Sequence, residues 1–239
     1  MRLAAVIGAL ACLAAPAVAA EPDNAPQIAI VETAPSQFRL EYRLSRPARA
    51  LYFVREANDL RARRWRSSEP VAFETDGRQT RVVRKDGAAF STLAFEIDGR
   101  RYDDMAEDYA LVTPFSDGDA LVYTGYFHAC ADAPCDAEAA WTVRAEPARR
   151  RRVSVGALDA KGPLDFRDGG DGAFVFVGAK HPSHVGGARA VFDAAVPTSV
   201  RRAIQTSTPA LLDWFDDAIG RAAARPTFDV SVAPAPAAP

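Results

Sequence analysis

The sequence predicts a mainly β protein, an antiparallel β-sandwich followed by one C-terminal amphipathic helix and a short strand. Apolar and polar residues alternate in many short segments, as they do in strands that bury one face. Six Asp-Gly dipeptides, at positions 76, 86, 98, 117, 168 and 171, supply turn signals between these segments. Near the C-terminus the spacing of apolar residues changes to that of a helix. Short alternating strands separated by turn signals are typical of a sandwich.

Residues 1–20 have the pattern of a secretory signal peptide, with one basic residue at Arg2, an apolar run, and small residues before Glu21. The run is too short and too rich in alanine for a membrane span, and no later segment approaches the ~20 apolar residues that a span needs. We therefore expect a periplasmic or secreted protein with no membrane-spanning segment. Lipidation of Cys12 is an alternative, but the residues before it fit a lipoprotein signal poorly.

The charge balance argues against a nucleic-acid partner. Removal of the signal peptide takes away Arg2 and leaves 28 basic and 31 acidic residues, a net charge of −3. Nucleic-acid binding domains normally carry a clear excess of basic residues. The mature chain is long enough to bury a sizeable core, and 49% hydrophobic and 25% charged residues are ordinary values for a globular protein.

The β-sandwich domain is predicted over residues 21–203, with its strands between about Gln27 and Pro197. Its clearest strand covers residues 38–44, where four apolar residues alternate with three charged ones. The same period of two recurs at residues 93–97, 121–123 and 141–143, and in a denser form at residues 174–177. We expect the apolar side of each segment to face the core.

A one-sided amphipathic helix is predicted after the sandwich. Thr208 suits the N-cap position, Pro209 the first helical position, and Gly220 the end of the helix. Its apolar side consists of residues at helical spacing, namely Leu211, Leu212, Phe215, Ala218 and Ile219. Burial of each large apolar side chain would contribute roughly 1.5–3 kcal/mol, so this side of the helix needs a partner surface.

The last residues predict one more strand and a tail. Residues 228–232 (FDVSV) alternate like a strand, so residues 204–232 together form a linker helix and strand. Pro234 and Pro236 prevent extension of that strand. We therefore expect residues 233–239 to form a disordered Ala/Pro tail.

Cys130 and Cys135 are the two cysteines of the mature chain. An exported protein meets an oxidising compartment, so we predict a disulfide between them. The loop that it closes is short, and chain entropy gives only about 2 kcal/mol of stabilisation. Its expected role is to restrain the connection between the strands near His128 and Trp141. A redox or metal-binding pair is the alternative, but the spacing is not the C-x-x-C of redox sites.

We assign no catalytic, cofactor-binding or metal-ligating residue to this chain. The sequence contains no H-E-x-x-H zinc helix, no G-x-S-x-G nucleophile elbow, no phosphate-binding G-x-x-x-x-G-K and no dinucleotide fingerprint. His181 and His184 could form a metal site with a third ligand from elsewhere, but Pro182 between them indicates a solvated turn. Residues 149–152 are a basic run that could contact an acidic partner; a solvated strand end is the expected role.

Three short features follow one another in an order found in a known enzyme family. They are Phe176-Val177-Gly178 at the end of a predicted strand, Trp214-Phe215 with Gly220 in the helix, and the strand at 228–232. This order resembles the N-terminal region of gluzincin zinc aminopeptidases, of the aminopeptidase N and glycyl aminopeptidase types. In that family a β-sandwich is followed by a helix that leads into the catalytic domain. The resemblance implies that residues 204–232 correspond to the start of such a domain.

The residues that perform the family's chemistry have no counterpart here. The family holds zinc with the two histidines of H-E-x-x-H and a downstream glutamate, and it binds the substrate amine with a Gly-x-Met-Glu-Asn loop; neither motif occurs in this sequence. The resemblance therefore implies a non-catalytic region, a fragment or a degenerate relative of such a peptidase. The partner it implies is a missing or separate catalytic domain that docks on Leu211, Leu212, Phe215 and Ile219.

Two other hypotheses remain open at this point. The chain could be a free-standing periplasmic β-sandwich that binds a protein or a cell-envelope ligand through its loops, with the helix packed back over a sheet. It could also be a metal-dependent hydrolase that uses His181 and His184. The first of these predicts that the apolar side of the helix is buried within the chain itself.

Overall fold

The computed structural model describes residues 24–55, 60–75, 79–99, 111–134, 139–185, 188–219 and 229–232. Within these ranges the protein is mainly β, with strands in four sheets and one long helix near the C-terminus. The predicted fold class is therefore confirmed. The predicted signal peptide (1–20) and the predicted Ala/Pro tail (233–239) lie outside the described residues.

The described elements, in chain order, are β1 (Gln27–Ala34), β2 (Gln37–Ala48), β3 (Ala50–Phe53), α1 (Leu60–Arg64), β4 (Trp65–Arg66), β5 (Val71–Thr75), β6 (Thr80–Arg84), β7 (Phe90–Asp98), β8 (Val112–Pro114), β9 (Ala120–Tyr123), a 3-10 helix (Thr124–Tyr126), β10 (Ala129–Ala131), β11 (Trp141–Glu146), β12 (Arg152–Val155), β13 (Leu158–Lys161), β14 (Leu164–Asp168), β15 (Phe174–Gly178), β16 (Ser183–Val185), β17 (Ala188–Phe192), α2 (Thr198–Ile219) and β18 (Asp229–Val232).

The first sheet has the strand order β14-β11-β1-β2-β7-β4. Its neighbouring strands are antiparallel except for β1 and β11, which are parallel. In β2 the side chains of Phe38, Leu40 and Tyr42 are buried, whereas those of Arg39 and Arg43 are exposed. The alternation that predicted this strand is therefore confirmed.

The second sheet has the order β10-β3-β6-β5, and the third has the order β13-β12-β15-β9-β8. One hydrophobic cluster joins buried side chains from these two sheets and the first sheet. Within it, the Trp65 ring lies 5.0 Å from the ring of Phe95 and 5.5 Å from the ring of Phe53, measured between centroids. Burial of such large aromatic side chains is the main term that stabilises the sandwich.

Three of the Asp-Gly dipeptides form turns in which glycine has a positive φ, 69° at Gly87, 86° at Gly118 and 79° at Gly172. A Cβ atom on Gly172 would lie 2.5 Å from the backbone nitrogen of Gly125, so close packing also requires glycine there. The dipeptide at 168 does not have the predicted role. Asp168 is the last residue of β14, and its side chain is buried.

Helix α2 begins at Thr198, well before the predicted cap. The N–H of Arg201 already donates to the carbonyl of Pro197, and Pro209 lies inside the helix. The prediction that Thr208 caps the helix with Pro209 at its first position is therefore wrong. Proline removes one helical hydrogen bond, but the hydrogen bonds of Arg201 and the packing of Ile204 against buried side chains hold the turns before it. The predicted boundary between residues 203 and 204 falls within α2.

The C-terminal unit consists of β16, β17, α2 and β18. Its strands form the fourth sheet, in the order β16-β17-β18, and β18 is parallel to β17. The path from β17 through α2 to β18 is thus a β-α-β crossover, the usual way to join parallel strands. Ile204 of α2 packs against buried side chains of this sheet. The strand predicted at 228–232 is confirmed for Asp229–Val232, and Phe228 lies outside the described residues.

Within the described part of the chain, no helix has the length and the apolar character that crossing a membrane requires.

Candidate functional site

The C-terminal unit is attached to the third sheet through the carboxylate of Asp193, which is completely buried. Ser116 donates to it from its backbone N–H and, at 2.5 Å, from its hydroxyl group. The N–H of Ala195 donates to the same carboxylate at 2.6 Å. Burial disfavours the charged form, but these hydrogen bonds outweigh it, so the pKa of Asp193 lies below its usual value. Asp193 is therefore a charged anchor between the two parts of the protein.

Arg201, in the first turn of α2, fixes the segment that leads into the helix. Its guanidinium group donates to three backbone carbonyls, at 2.5 Å to Asp193, 3.2 Å to Ala194 and 3.1 Å to Val196. Charged donors make stronger hydrogen bonds than neutral ones. The start of α2 is thus tied to the anchor residue and does not depend on helix propensity alone.

Lys180 makes a second polar link to the C-terminal unit. Its ammonium group donates to the carbonyl of Phe192 at 3.1 Å and forms an ion pair with Asp117. Beside it, Phe115 and Phe176 pack with Val191 in a small apolar cluster. Apolar packing and charged hydrogen bonds together therefore give the C-terminal unit a fixed position on the sandwich.

The basic run at 149–152 is only partly solvated. Arg149 and Arg150 are exposed, but Arg151 lies 2.9 Å from the buried carboxylate of Glu32 and 3.2 Å from Asp119. Burial raises the pKa of Glu32 above its usual value, although the N–H of Ala148 and the guanidinium of Arg151 act in the opposite direction. The expected role as a solvated strand end is thus wrong for Arg151, whose charge is needed inside the protein.

The outer side of α2 exposes large apolar side chains. Trp214 is 61% exposed and Leu211 is 55% exposed, whereas Leu212 is only 7% exposed. Of the four residues predicted to receive a partner domain, Leu211 is therefore accessible and Leu212 belongs to the interior. The side chains of Phe215 and Ile219 lie outside the described part of the structure.

A buried polar cluster lies within the sandwich and was not predicted. The Nε2 atom of His128 lies 2.9 Å from a carboxylate oxygen of Asp168, and the hydroxyl of Thr124 donates to the same oxygen. The His128 ring stacks on Trp141 with 4.1 Å between centroids and 7° between planes. A threonine, a histidine and an aspartate resemble the components of a catalytic triad. All three are at most 3% exposed, so a substrate cannot reach them and their role is structural.

The two histidines considered as metal ligands do not form a site. His181 and His184 are both exposed, and the nearest carboxylate oxygen to the His181 ring, on Asp159, is 3.6 Å away. No group of three or more His, Cys, Asp or Glu side chains among the described residues could hold a metal ion. The structure thus gives the metal-dependent hydrolase hypothesis no support.

Cys130 is fully buried on β10, where it lies opposite Tyr52 of β3. Its predicted partner, Cys135, lies outside the described residues. The disulfide between them therefore stays a prediction.

Comparisons with protein-family models and with curated protein sequences give no relative from which a role could be transferred. No protein-family model matches the chain, and no curated protein sequence matches it.

Proposed function

We propose that this chain is an exported, non-catalytic β-sandwich module whose C-terminal unit docks onto a gluzincin-type catalytic domain, as a fragment or a degenerate relative of such a peptidase. The observation that carries this proposal is the outer side of α2, where Leu211 and Trp214 are exposed on a helix that is itself fixed to the sandwich. The order of sandwich strand, helix and strand, which resembles the gluzincin order, supports the same proposal.

The energetics favour a docking role for this side of α2. Burying Leu211 and Trp214 in an interface would contribute roughly 1.5–3 kcal/mol for each side chain. Tryptophan is enriched among the residues that dominate binding energy. The anchor at Asp193 and the hydrogen bonds of Arg201 hold α2 in place before binding, so little conformational entropy is lost in the complex.

In this proposal the peptidase chemistry belongs to the partner domain. The sequence has no H-E-x-x-H pair of histidines and no glutamate in the position of that motif's general base. The module's role is therefore to bind and position the domain that does carry them.

Photo-crosslinking tests the proposal. A photoreactive amino acid replaces Trp214 in the chain produced in its natural host, and a matched control carries it at Leu158, which is 47% exposed on β13. We expect position 214, and not position 158, to crosslink to a polypeptide with a gluzincin-type catalytic domain, identified by mass spectrometry. Identical crosslinks at both positions, or partners that lack such a domain, would contradict the proposal.

A free-standing envelope-binding protein is the second candidate function. The observation that favours it is the attachment of the C-terminal unit, since Asp193, Lys180 and the cluster around Phe176 are what a unit that completes one fold would show. Both candidates predict that deletion of everything after Pro197 destabilises the protein, because α2 is fixed to the sandwich in both. The crosslinked partner at position 214 separates them: a gluzincin-type catalytic domain favours the first candidate, and an envelope component without such a domain favours the second.

A further inference from the structure

The exposed side of α2 carries residues at the spacing with which paired helices pack. Five exposed residues, Val200, Ala203, Ser207, Ala210 and Trp214, follow one another at intervals of three, four, three and four residues. Alternating intervals of three and four keep side chains in one row along a helix, because each interval is close to one helical turn. We call these five residues the α2 row. In coiled coils a row of this kind faces a second helix.

The α2 row is separate from the side of α2 that attaches the helix to the protein. Ile204 packs on the fourth sheet, Leu212 is buried, and Arg201 donates to carbonyl groups before the helix. Val200 and Trp214, at the two ends of the row, are 42% and 61% exposed. The attachment therefore fixes α2 and leaves the row accessible, so little conformational entropy is lost when a second helix binds.

The exposed side chains are large at one end of α2 and small at the other. Leu211, which is 55% exposed beside the row, and Trp214 lie on the C-terminal side of Ser207, whereas Ala203 and Val200 lie on its N-terminal side. Leu211 and Ala203 are each four residues from Ser207, and Trp214 and Val200 are each seven residues from it. If two copies of α2 pair antiparallel about Ser207, Leu211 faces Ala203 of the second copy and Trp214 faces its Val200. Large side chains then fill the space over small ones, as dense packing requires. In a parallel pair each residue would face its own copy, which crowds the two Trp214 rings and leaves a gap at Ala203.

The charges along α2 favour the same antiparallel direction. Arg201 and Arg202 lie near the N-terminal end of the helix, and Asp213 and Asp217 lie near its C-terminal end. An antiparallel pair brings the basic end of one helix to the acidic end of the other, whereas a parallel pair brings like charges together. Arg202 and Asp213 are eleven residues apart, about three helical turns, so both lie on the same side of the row. Arg202 is exposed, and in the antiparallel pair it lies within one residue of the position that faces Asp213 of the second copy.

We propose that α2 pairs with α2 of a second copy of this chain, antiparallel and with Ser207 at the two-fold axis. A two-fold interface uses the same surface on both copies, so that surface has to be complementary to itself. The exposed side of α2 meets this condition both in the size of its side chains and in its charge. The homodimer does not require the proposed catalytic partner. Both partners would use Leu211 and Trp214, so the homodimer and a complex with a catalytic domain exclude each other.

Sedimentation equilibrium of the mature chain tests the homodimer. One helix from each copy is a small interface, so we expect a monomer–dimer equilibrium with a dissociation constant on the order of 10–100 μM. Arg202→Glu should weaken the dimer by roughly tenfold or more, because it places a carboxylate near Asp213 of the second copy at both ends of the interface. Lys161→Glu makes the same change of charge at an exposed lysine of β13 and should leave the dimer unchanged. The double variant Arg202→Glu, Asp213→Arg restores opposite charges and should recover most of the affinity.

Cysteine crosslinking tests the direction and the register of the pair. Ser207 faces its own copy at the axis, so Ser207→Cys should give a disulfide-linked dimer under mild oxidation. Two copies of residue 203 lie about 12 Å apart along the helix axis, too far for a disulfide, so Ala203→Cys should give little crosslinked dimer. Crosslinking at Ala203→Cys should appear when Leu211→Cys is added to the same chain, because these positions face each other. The unchanged chain, with Cys130 and Cys135, is the control for crosslinks that do not depend on an added cysteine.

A mature chain that sediments as a monomer at about 1 mM would overturn the proposal. Equal losses of affinity in Arg202→Glu and Lys161→Glu, or a double variant that recovers no affinity, would also overturn it. Stronger crosslinking of Ala203→Cys alone than of Ser207→Cys would show a parallel pair and contradict the antiparallel one. These outcomes leave the catalytic partner open, because crosslinking at position 214 in the natural host tests that partner separately. Circular dichroism and thermal unfolding of each variant confirm that it is folded; the replaced side chains are exposed, so their replacement should leave the core intact.

Discussion

Replacement of Asp193 by alanine should destabilise the protein strongly, because its buried carboxylate joins the C-terminal unit to the sandwich. The side chain accepts two hydrogen bonds from Ser116 and one from the N–H of Ala195. Asp193→Ala removes all three acceptor contacts at once. Ser116 is exposed, so water can replace the lost partner at its polar groups.

The expected loss follows from these contacts. A hydrogen bond to a charged group contributes about 1.5–3 kcal/mol. The energies within one network are not additive, so we expect a total loss of about 3–5 kcal/mol for Asp193→Ala. Asp193→Asn keeps the size of the side chain and one acceptor, and its loss should be smaller.

Urea unfolding at neutral pH measures both losses as changes in the free energy of unfolding. The control is Asp165→Ala, because Asp165 is exposed and pairs with Arg144 at 2.9 Å on the surface, where such pairs contribute about 0–1 kcal/mol. The pKa of Asp193 is lowered in the folded protein, so its contribution should be present near neutral pH and disappear as the pH falls below about 3.8, its ordinary pKa. Losses of equal size for Asp193→Ala and Asp165→Ala would refute this account of the anchor.

Three further predictions concern the interior of the sandwich. The pKa of Glu32 is raised in the folded protein, so the free energy of unfolding should fall as the pH rises above about 4.5. Glu32→Gln should flatten this part of the dependence of the unfolding free energy on pH, measured by urea unfolding. An unchanged dependence would contradict this role of Glu32. His128→Ala removes one of the two partners of the buried Asp168 carboxylate and opens a cavity, so the free energy of unfolding should drop by roughly 3–5 kcal/mol; a loss below about 1 kcal/mol would show that the cluster is not structural. Thiol titration of the denatured mature protein should find no free thiol before reduction and two afterwards if Cys130 and Cys135 are paired; two free thiols before reduction would exclude the bridge.

The sandwich was predictable because its signal is local. A period of two in the sequence reports which side of a strand is buried, as Phe38, Leu40 and Tyr42 show. The same kind of local signal located the strand after α2. The sequence does not predict which strands become neighbours, because the parallel pairing of β1 with β11 depends on contacts between distant parts of the chain.

The start of α2 could not be found from local signals. Pro209 after Thr208 is the usual pattern of a helix N-terminus, and in this chain it occurs inside a helix. The helix begins directly after Pro197. The turns before Pro209 are held on the protein by Ile204, which packs on the fourth sheet. Tertiary packing therefore decides where this helix begins, and propensity does not.

The anchor and the buried cluster were missed for a related reason. Asp168 precedes a glycine, so the local pattern indicates a turn, yet its partner His128 lies 40 residues earlier in the chain. Asp193 and Ser116 are 77 residues apart. Polar contacts of this kind have no sequence period, and a single sequence carries no signal that pairs their members. For α2, helical spacing predicts that the helix has an apolar side. It does not predict which residues of that side are covered, and the structure buries Leu212 while Leu211 is accessible.

The proposed function requires that α2 of this chain docks onto a gluzincin-type catalytic domain. The most direct test is native mass spectrometry of the natural protein, isolated from the envelope of its host with an antibody against the sandwich. The account predicts a mass that includes such a catalytic domain, either as a bound partner or as part of one longer chain. A bound partner should be lost from the double variant Leu211→Ser, Trp214→Ser. The mass of the mature chain alone, identical in the natural protein and the variant, would contradict the claim and favour a free-standing binding protein.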